Sequence, residues 1–270
     1  MHTYRIIKPG EVRITPDLIN IIIILLVGLV AGILGSMFGL GGGFLMVPLL
    51  TFLGSDIRVS IGTSATAIFF NSLSATISYS RGRLVIYRAG LIIALIAILG
   101  AYLGAQATKL VDTSTLRILF GSALILVSIR MIYDTFKKKA SQGQRIRWST
   151  KTYIELLLGG FLSGLVAGLL GVGGGVINVP LLSYLGFTIH QAVATSSMAI
   201  TITTVSSATT HYLIGNVNLY LAALLTPTLI IGAQIGSAIA KRTSSKKLRI
   251  GFSILLIIIA LRMILETVSI

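Results

Sequence analysis

The chain has 270 residues, of which 54% are hydrophobic and only 11% are charged, and its formal net charge is +15. Soluble domains carry about 25% charged residues, so this composition excludes an ordinary soluble globular protein. The hydrophobicity also excludes a disordered chain, and the absence of cysteine excludes disulfide frameworks, iron–sulfur clusters and cysteine-based zinc sites.

Long apolar stretches predict the elements in chain order. The first half contains a long stretch and then three spans, at 18–54, 59–80, 89–109 and 115–136. The second half repeats this order at 153–186, 190–213, 218–240 and 247–267. A membrane-spanning helix needs about 20 apolar residues, so each half holds several spans. The sequence therefore predicts an all-α polytopic membrane protein with about four transmembrane segments in each half.

Most of the positive charge lies in short connectors between these stretches. The basic clusters are at 81–88, 137–151 and 241–249. Short loops rich in Lys and Arg mark the cytoplasmic side of a membrane protein. The charge therefore indicates topology and contact with lipid headgroups, and it does not indicate nucleic acid.

An internal repeat relates the two halves. Residues 39–50 (GLGGGFLMVPLL) align with residues 171–182 (GVGGGVINVPLL) at an offset of 132 positions. The same offset aligns further residues: Gly28 with Gly160, Thr63-Ser64 with Thr195-Ser196, Tyr79 with His211, and Arg130 with Arg262. We predict an N-terminal tail at 1–16, one membrane repeat at 17–136, a basic cytoplasmic linker at 137–151, and a second membrane repeat at 152–270.

Each repeat is predicted to open with a helical hairpin that is broken by glycine. As one helix, residues 18–54 would be about 55 Å long, whereas the hydrocarbon core is about 30 Å thick. The glycines at 39–43 are the natural break, because glycine weakens a helix and tolerates positive φ. The short arm after them cannot span the membrane, so it returns from within it. Irregular backbone at that depth must be buried in protein or line a cavity.

The hairpins imply that the two repeats are inverted. A hairpin ends on the side where it begins, so each repeat crosses the membrane an odd number of times. With both termini outside, all three basic clusters are cytoplasmic, although a few basic residues of the N-terminal tail count against this orientation. If each long stretch is instead a single crossing, the clusters at 137–151 and 241–249 face opposite sides.

Inverted repeats with broken helices are typical of secondary transporters, which bind substrate near the midplane. The two glycine-rich segments would meet there and present backbone N–H groups and positive helix ends to an anion. We predict substrate binding by six of these glycines: Gly41, Gly42, Gly43, Gly173, Gly174 and Gly175. Glycine pairs elsewhere are interpreted as helix-packing positions: Gly28 and Gly32, Gly100 and Gly104, Gly160 and Gly164, and Gly232 and Gly236.

Polar residues inside the spans are further candidates for substrate binding. Their hydroxyl and amide groups can donate to an anion, or can bond to their own or a neighbouring helix. These residues are Thr63, Ser64, Thr195, Ser196, Asn71, Asn178, Gln106 and Gln234. His211 is a candidate for proton coupling, or else a hydrogen-bonded core residue.

Charged side chains are not expected in the centre of the spans. Arg130 and Arg262 lie near span ends, each with an acid four residues on, and are interpreted as interfacial ion pairs. Charge selectivity is therefore expected to come from backbone and hydroxyl dipoles. The lack of a carboxylate in mid-span argues against an acidic proton relay or a sodium site.

The doubled Gly-x-Gly-Gly-Gly-x-x-x-Val-Pro-Leu-Leu motif, each copy followed by Thr-Ser, resembles the sulfite exporter TauE/SafE family of membrane transporters. This family is also described as the organosulfonate permease family, and the resemblance covers residues 17–267. It implies a secondary transporter that moves a small sulfur-containing anion, such as sulfite or a sulfonate, across the cell (inner) membrane. The alternatives are a transporter or channel for another small solute, or a membrane scaffold.

An enzyme is not expected, because three scattered histidines and no cysteine offer neither a nucleophile–base pair nor a metal cluster. We predict no cofactor and no metal. The expected partners are a small anionic substrate and the lipid bilayer, with no nucleic acid. A coupling ion such as H⁺ and a homo-oligomer are left open.

Overall fold

The computed structural model describes residues 18–136, 148–242 and 246–268. The predicted tail at 1–16, and residues 137–147 of the predicted linker, lie outside the described residues. Within the described ranges the chain forms ten helices and no strand. The helices are α1 Leu18–Phe38, α2 Gly43–Phe52, α3 Ile57–Arg81, α4 Tyr87–Ala107, α5 Thr113–Phe136, α6 Thr150–Leu170, α7 Gly175–Tyr184, α8 Ile189–Leu213, α9 Leu219–Arg242 and α10 Lys246–Val268.

Six of these helices are long and apolar enough to cross a membrane: α1, α4, α5, α6, α9 and α10. Helices α3 and α8 have 25 residues each, so each is about 37 Å long at 1.5 Å per residue. They are less apolar because serine, threonine and asparagine recur along them, and most of these side chains are buried. Helix α3 packs against α8 and α9, and α8 packs against α4. The prediction of an all-helical polytopic membrane protein is confirmed.

The predicted glycine breaks are confirmed in both long stretches. Helix α1 ends at Phe38 and α2 begins at Gly43, while α6 ends at Leu170 and α7 begins at Gly175. Helices α2 and α7 have 10 residues each, which at 1.5 Å per residue is about 15 Å and too short to cross the bilayer. Each break contains consecutive glycines with φ between 75° and 95°, a conformation that other residues rarely adopt.

The main helix pairs join the first half of the chain to the second. Helix α1 packs along α9, α4 along α6, α3 along α8, and α5 along α10. Glycine allows these close approaches: a Cβ on Gly32 would lie 2.8 Å from the Leu229 carbonyl oxygen, and one on Gly160 would lie 2.6 Å from that of Ile93. The predicted packing role of the glycine pairs on α1, α4, α6 and α9 is confirmed. The repeat as such and its inversion remain predictions.

Candidate functional site

The two glycine breaks meet in the interior of the protein. We call residues 39–43 the first tip and residues 171–175 the second tip, and both are fully buried. A Cβ on Gly43 would collide with the Gly171 carbonyl oxygen, and a Cβ on Gly175 would collide with the Gly39 carbonyl oxygen. The tips are therefore in direct backbone contact, as the sequence predicts for the glycine-rich segments.

Each short helix turns its N-terminus toward this contact. At α2, the N–H groups of Leu45 and Met46 donate to the Gly42 carbonyl at 3.2 and 3.4 Å. At α7, the N–H groups of Ile177 and Asn178 donate to the Gly174 carbonyl at 3.1 and 3.2 Å. The first N–H groups of a helix have no partner within it and carry its partial positive charge. These bonds close the first turn of each short helix, and each N-terminus is enclosed by the opposite tip. Anion binding by these helix ends remains a prediction.

Ser64 and Ser196 lie against the tips, and each hydroxyl bonds across to the other half of the chain. The Ser64 hydroxyl donates to the Gly171 carbonyl at 3.0 Å, and the Ser196 hydroxyl donates to the Gly39 carbonyl at 2.8 Å. Both side chains are fully buried. The two serines therefore fasten α3 to the second tip and α8 to the first tip.

Thr63 and Thr195 are hydrogen-bonded to residues just before two other helices. The Thr63 hydroxyl accepts from the N–H of Asn218, just before α9, at 2.9 Å. The Thr195 hydroxyl accepts from the N–H of Ile86, just before α4, at 3.0 Å. These hydroxyls position the entry of α4 and α9, a role that their place beside the serines does not reveal.

The two candidate asparagines differ in their partners. The Asn71 amide donates to the carbonyl of Gly41 in the first tip at 2.8 Å, whereas its oxygen has no hydrogen-bond partner among the described residues. Asn178, in the first turns of α7, is fully buried, and neither of its amide atoms has a partner there. Asn71 therefore supports the first tip, and Asn178 keeps its hydrogen-bonding capacity close to the second.

The candidate glutamines are not hydrogen-bonded to either tip. The Gln234 amide donates to the carbonyl and hydroxyl of Ser74 at 2.9 and 2.7 Å, which joins α9 to α3. Gln106 lies in the last turn of α4 and is half-buried.

Sequence reasoning missed Ser163 of α6, whose hydroxyl donates to the Gly174 carbonyl at 3.0 Å. The repeat gives no signal for it, because Ala31 occupies the matched position.

His211 is buried, with Nε2 2.8 Å from the Gly168 carbonyl oxygen in the last turn of α6. Its matched residue Tyr79 makes the corresponding contact, since the phenol donates to the Ser36 carbonyl near the end of α1 at 2.8 Å. A tyrosine in the same role favours a structural function for His211. Its use in proton coupling remains a prediction.

A cavity of about 70 Å³ reaches the tips from one side. It lies between α5, α7 and the start of α8, and it touches Leu40 of the first tip and Gly175 of the second. Its wall is mostly apolar, and Arg130 of α5 lines it.

The residues that the structure describes include no group of three or more His, Asp or Glu side chains that could hold a metal.

The structure is typical of a membrane transport protein. It has six apolar helices of membrane-spanning length, two short helices whose N-termini meet in the interior, and a cavity that reaches this meeting point. Comparison with known proteins gives the family. Residues 24–263 match the family model described as "Sulfite exporter TauE/SafE", so the chain belongs to that family.

The relatives agree with this class. The chain is 32% identical to the "Probable membrane transporter protein YunE" of Bacillus subtilis, over 92% of this chain and 98% of the relative. It is 29% identical to a probable membrane transporter protein of Methanocaldococcus jannaschii, over 90% of this chain and 95% of the relative. The predicted family and the membrane-transporter class are thus confirmed.

Proposed function

We propose that the protein is a secondary transporter that moves a small sulfur-containing anion, such as sulfite or a sulfonate, across the cell (inner) membrane. The observation that carries the proposal is the meeting of the two tips at the N-termini of α2 and α7. Helix N-termini in a water-excluded interior favour an anion without a buried cation. The family description supports sulfite as a substrate, while the relatives' names state only membrane transport.

In this proposal the two halves are inverted repeats that are related by a pseudo-twofold axis. The support is that the contacts occur in exchanged pairs at the offset of 132. The packing of α1 on α9 has its counterpart in α6 on α4, and that of α3 on α9 in α8 on α4. The hydrogen bonds follow the same rule: Ser64–Gly171 with Ser196–Gly39, Thr63–Asn218 with Thr195–Ile86, and Tyr79–Ser36 with His211–Gly168.

Transport requires the tips to separate, because the closed contact leaves no room between them for a substrate. When they part, the hydroxyls of Ser64 and Ser196 leave the opposite carbonyls and become donors for the anion. The backbone N–H groups at the two tips then complete the site, which selects charge by fixed dipoles. The amide of Asn178 is a further donor close to the second tip. The protein supplies binding and a path, and it performs no covalent chemistry.

The test is flux into proteoliposomes that contain the purified protein. Uptake of ³⁵S-labelled sulfite should saturate with concentration and should be reduced by unlabelled thiosulfate or small sulfonates. Flux that rises linearly without saturation would favour a channel. Flux equal to that of protein-free liposomes for sulfite, thiosulfate, sulfate and methanesulfonate would contradict transport of sulfur-containing anions.

A further inference from the structure

Two isoleucine side chains meet where the two tips are in contact. A Cβ on Gly41 of the first tip would lie 2.9 Å from the Cγ2 methyl of Ile68 and 3.5 Å from that of Ile200. A Cβ on Gly173 of the second tip would lie 3.1 Å from the Cγ2 methyl of Ile200 and 3.3 Å from that of Ile68. Both isoleucines are fully buried. Each of them therefore lies beside a glycine of both tips.

The two isoleucines are related by the internal repeat. Ile68 of α3 and Ile200 of α8 are separated by the offset of 132 positions, and α3 packs along α8. Each side chain is closer to the glycine of its own half than to the glycine of the other half. The tips are thus accompanied by one matched pair of apolar side chains, one from each half of the chain.

Each isoleucine lies between polar residues on one face of its helix. Ser64, Ile68 and Asn71 follow one another at spacings of four and three residues, which places them on the same face of α3. The Ser64 hydroxyl donates to the Gly171 carbonyl, and the Asn71 amide donates to the Gly41 carbonyl. On α8 a serine likewise stands four residues before the isoleucine. An apolar layer therefore follows the serines along the face that contacts the tips.

We propose that Ile68 and Ile200 form an apolar barrier that stops small ions from passing between the tips until the tips separate. Isoleucine offers no hydrogen bond that could replace the hydration shell of an ion, and apolar constrictions close pores by excluding water. A solute that the tips bind can separate them and pass, whereas an ion that they do not bind is kept out. The position of the tips on the transport path rests on the proposed function, but the barrier does not depend on the identity of the anion.

The barrier can be tested with chloride, which is small and contains no sulfur. Proteoliposomes are loaded with potassium chloride, valinomycin is added to compensate charge, and chloride efflux is followed with an electrode. The double variant Ile68→Ala with Ile200→Ala should release chloride at least about tenfold faster than the native chain at equal protein content. A tenfold increase requires the barrier to fall by only about 1.4 kcal/mol. A native rate in a folded double variant would overturn the proposal.

A second matched pair controls for loosened packing. Ile93 of α4 and Leu225 of α9 are also separated by the offset of 132 and are fully buried. They lie beside Gly160 and Gly28, which are outside the tips. Ile93→Ala with Leu225→Ala removes a similar amount of buried apolar volume and should leave chloride efflux at the native rate. If this control leaks as fast as the variant at the tips, the leak reflects general loss of packing and the barrier is not specific to the isoleucines.

A milder comparison applies if the double alanine variant does not fold. Valine and threonine have similar shapes, but threonine adds a hydroxyl that can hydrogen-bond to water or an ion. Ile200→Thr should therefore leak at least about threefold faster than Ile200→Val, which is half of the free-energy effect expected for the pair. A purely structural role predicts equal efflux from the two variants, and that result would contradict an apolar barrier.

The chloride measurement separates this proposal from the proposed function. If the native chain does not transport sulfite but the variants at the tips leak chloride, the barrier stands and the substrate assignment fails. If the native chain transports sulfite and the folded variants at the tips do not leak, the barrier fails and the substrate assignment stands.

Discussion

The serines that bond to the tips from the opposite half of the chain can be compared with neighbouring serine hydroxyls. Ser196 and Ser197 are both buried on α8, but the Ser196 hydroxyl bonds to the Gly39 carbonyl across the molecule, and the Ser197 hydroxyl bonds to the Val193 carbonyl of its own helix at 3.0 Å. Ser196→Ala removes a tertiary hydrogen bond and leaves a buried carbonyl without that donor. Ser197→Ala removes only a local bond, and Ala65 already occupies the matched position in the first half.

We expect Ser196→Ala to reduce the free energy of unfolding by about 1 kcal/mol, since a net hydrogen bond is worth about 0.5–1.5 kcal/mol and interhelical ones in membranes average about 0.6. Ser197→Ala should cost less than about 0.5 kcal/mol, because bonds to the helix's own carbonyl stabilise little. Ser64→Ala should resemble Ser196→Ala. The double variant should lose about 2 kcal/mol, with some non-additivity because the two bonded tips are in direct contact.

The assay is unfolding in mixed micelles with increasing dodecyl sulfate, followed by circular dichroism, together with sulfite affinity on the folded fraction. The double variant should unfold at lower dodecyl sulfate and bind sulfite more weakly, whereas Ser197→Ala should match the native chain in both measurements. If Ser197→Ala destabilises as much as Ser196→Ala, the bond between the two halves contributes no more stability than a bond within one helix. If the double variant keeps native affinity, the serine hydroxyls are not part of the anion site.

Three further predictions follow from the topology, the packing and the buried histidine. Cysteines at Lys151 and Arg242 should both be protected from an impermeant reagent added outside intact cells, and labelling of one but not the other would contradict inverted repeats. Gly100→Ala should destabilise the fold by about 1–3 kcal/mol through overpacking, because a Cβ would collide with the Phe161 carbonyl. Gly251→Ala, with nothing within 4 Å of its Cβ, should be neutral or stabilising. Sulfite affinity, corrected for the ligand's own titration, should stay flat through about pH 6–7. A loss of affinity across that range that disappears in His211→Gln would assign the charge to the histidine.

The helices and the breaks between them could be predicted from the sequence because they depend on local physics. The length of an apolar stretch predicts a membrane span. Consecutive glycines within a stretch that is too long for one crossing predict a break in the helix. The direct contact of the tips was also predictable, since the motif occurs twice. Hydropathy alone predicts the spans, whereas the repeated motif also predicts that the two glycine-rich segments meet.

The partners of individual polar side chains could not be predicted in the same way. Thr63 and Ser64 are neighbours, yet one hydroxyl accepts from the start of α9 and the other donates to the second tip. Adjacent residues on a helix point about 100° apart, so their partners depend on how the neighbouring helices pack. Ser163 was missed for a related reason, because its hydroxyl has no counterpart at the matched residue Ala31.

The pairing of α1 with α9 and of α4 with α6 has a consequence for biogenesis. During synthesis, α1 enters the bilayer long before its packing partner α9 is made, and α4 is made before its packing partner α6. Until then the glycine faces of α1 and α4 lie against lipid, and the Gly39 carbonyl lacks its serine donor. The first half is therefore expected to be an incomplete folding unit that becomes stable only when the last helices insert. Expressing the halves as separate chains should give native assembly only when both are present in the same membrane.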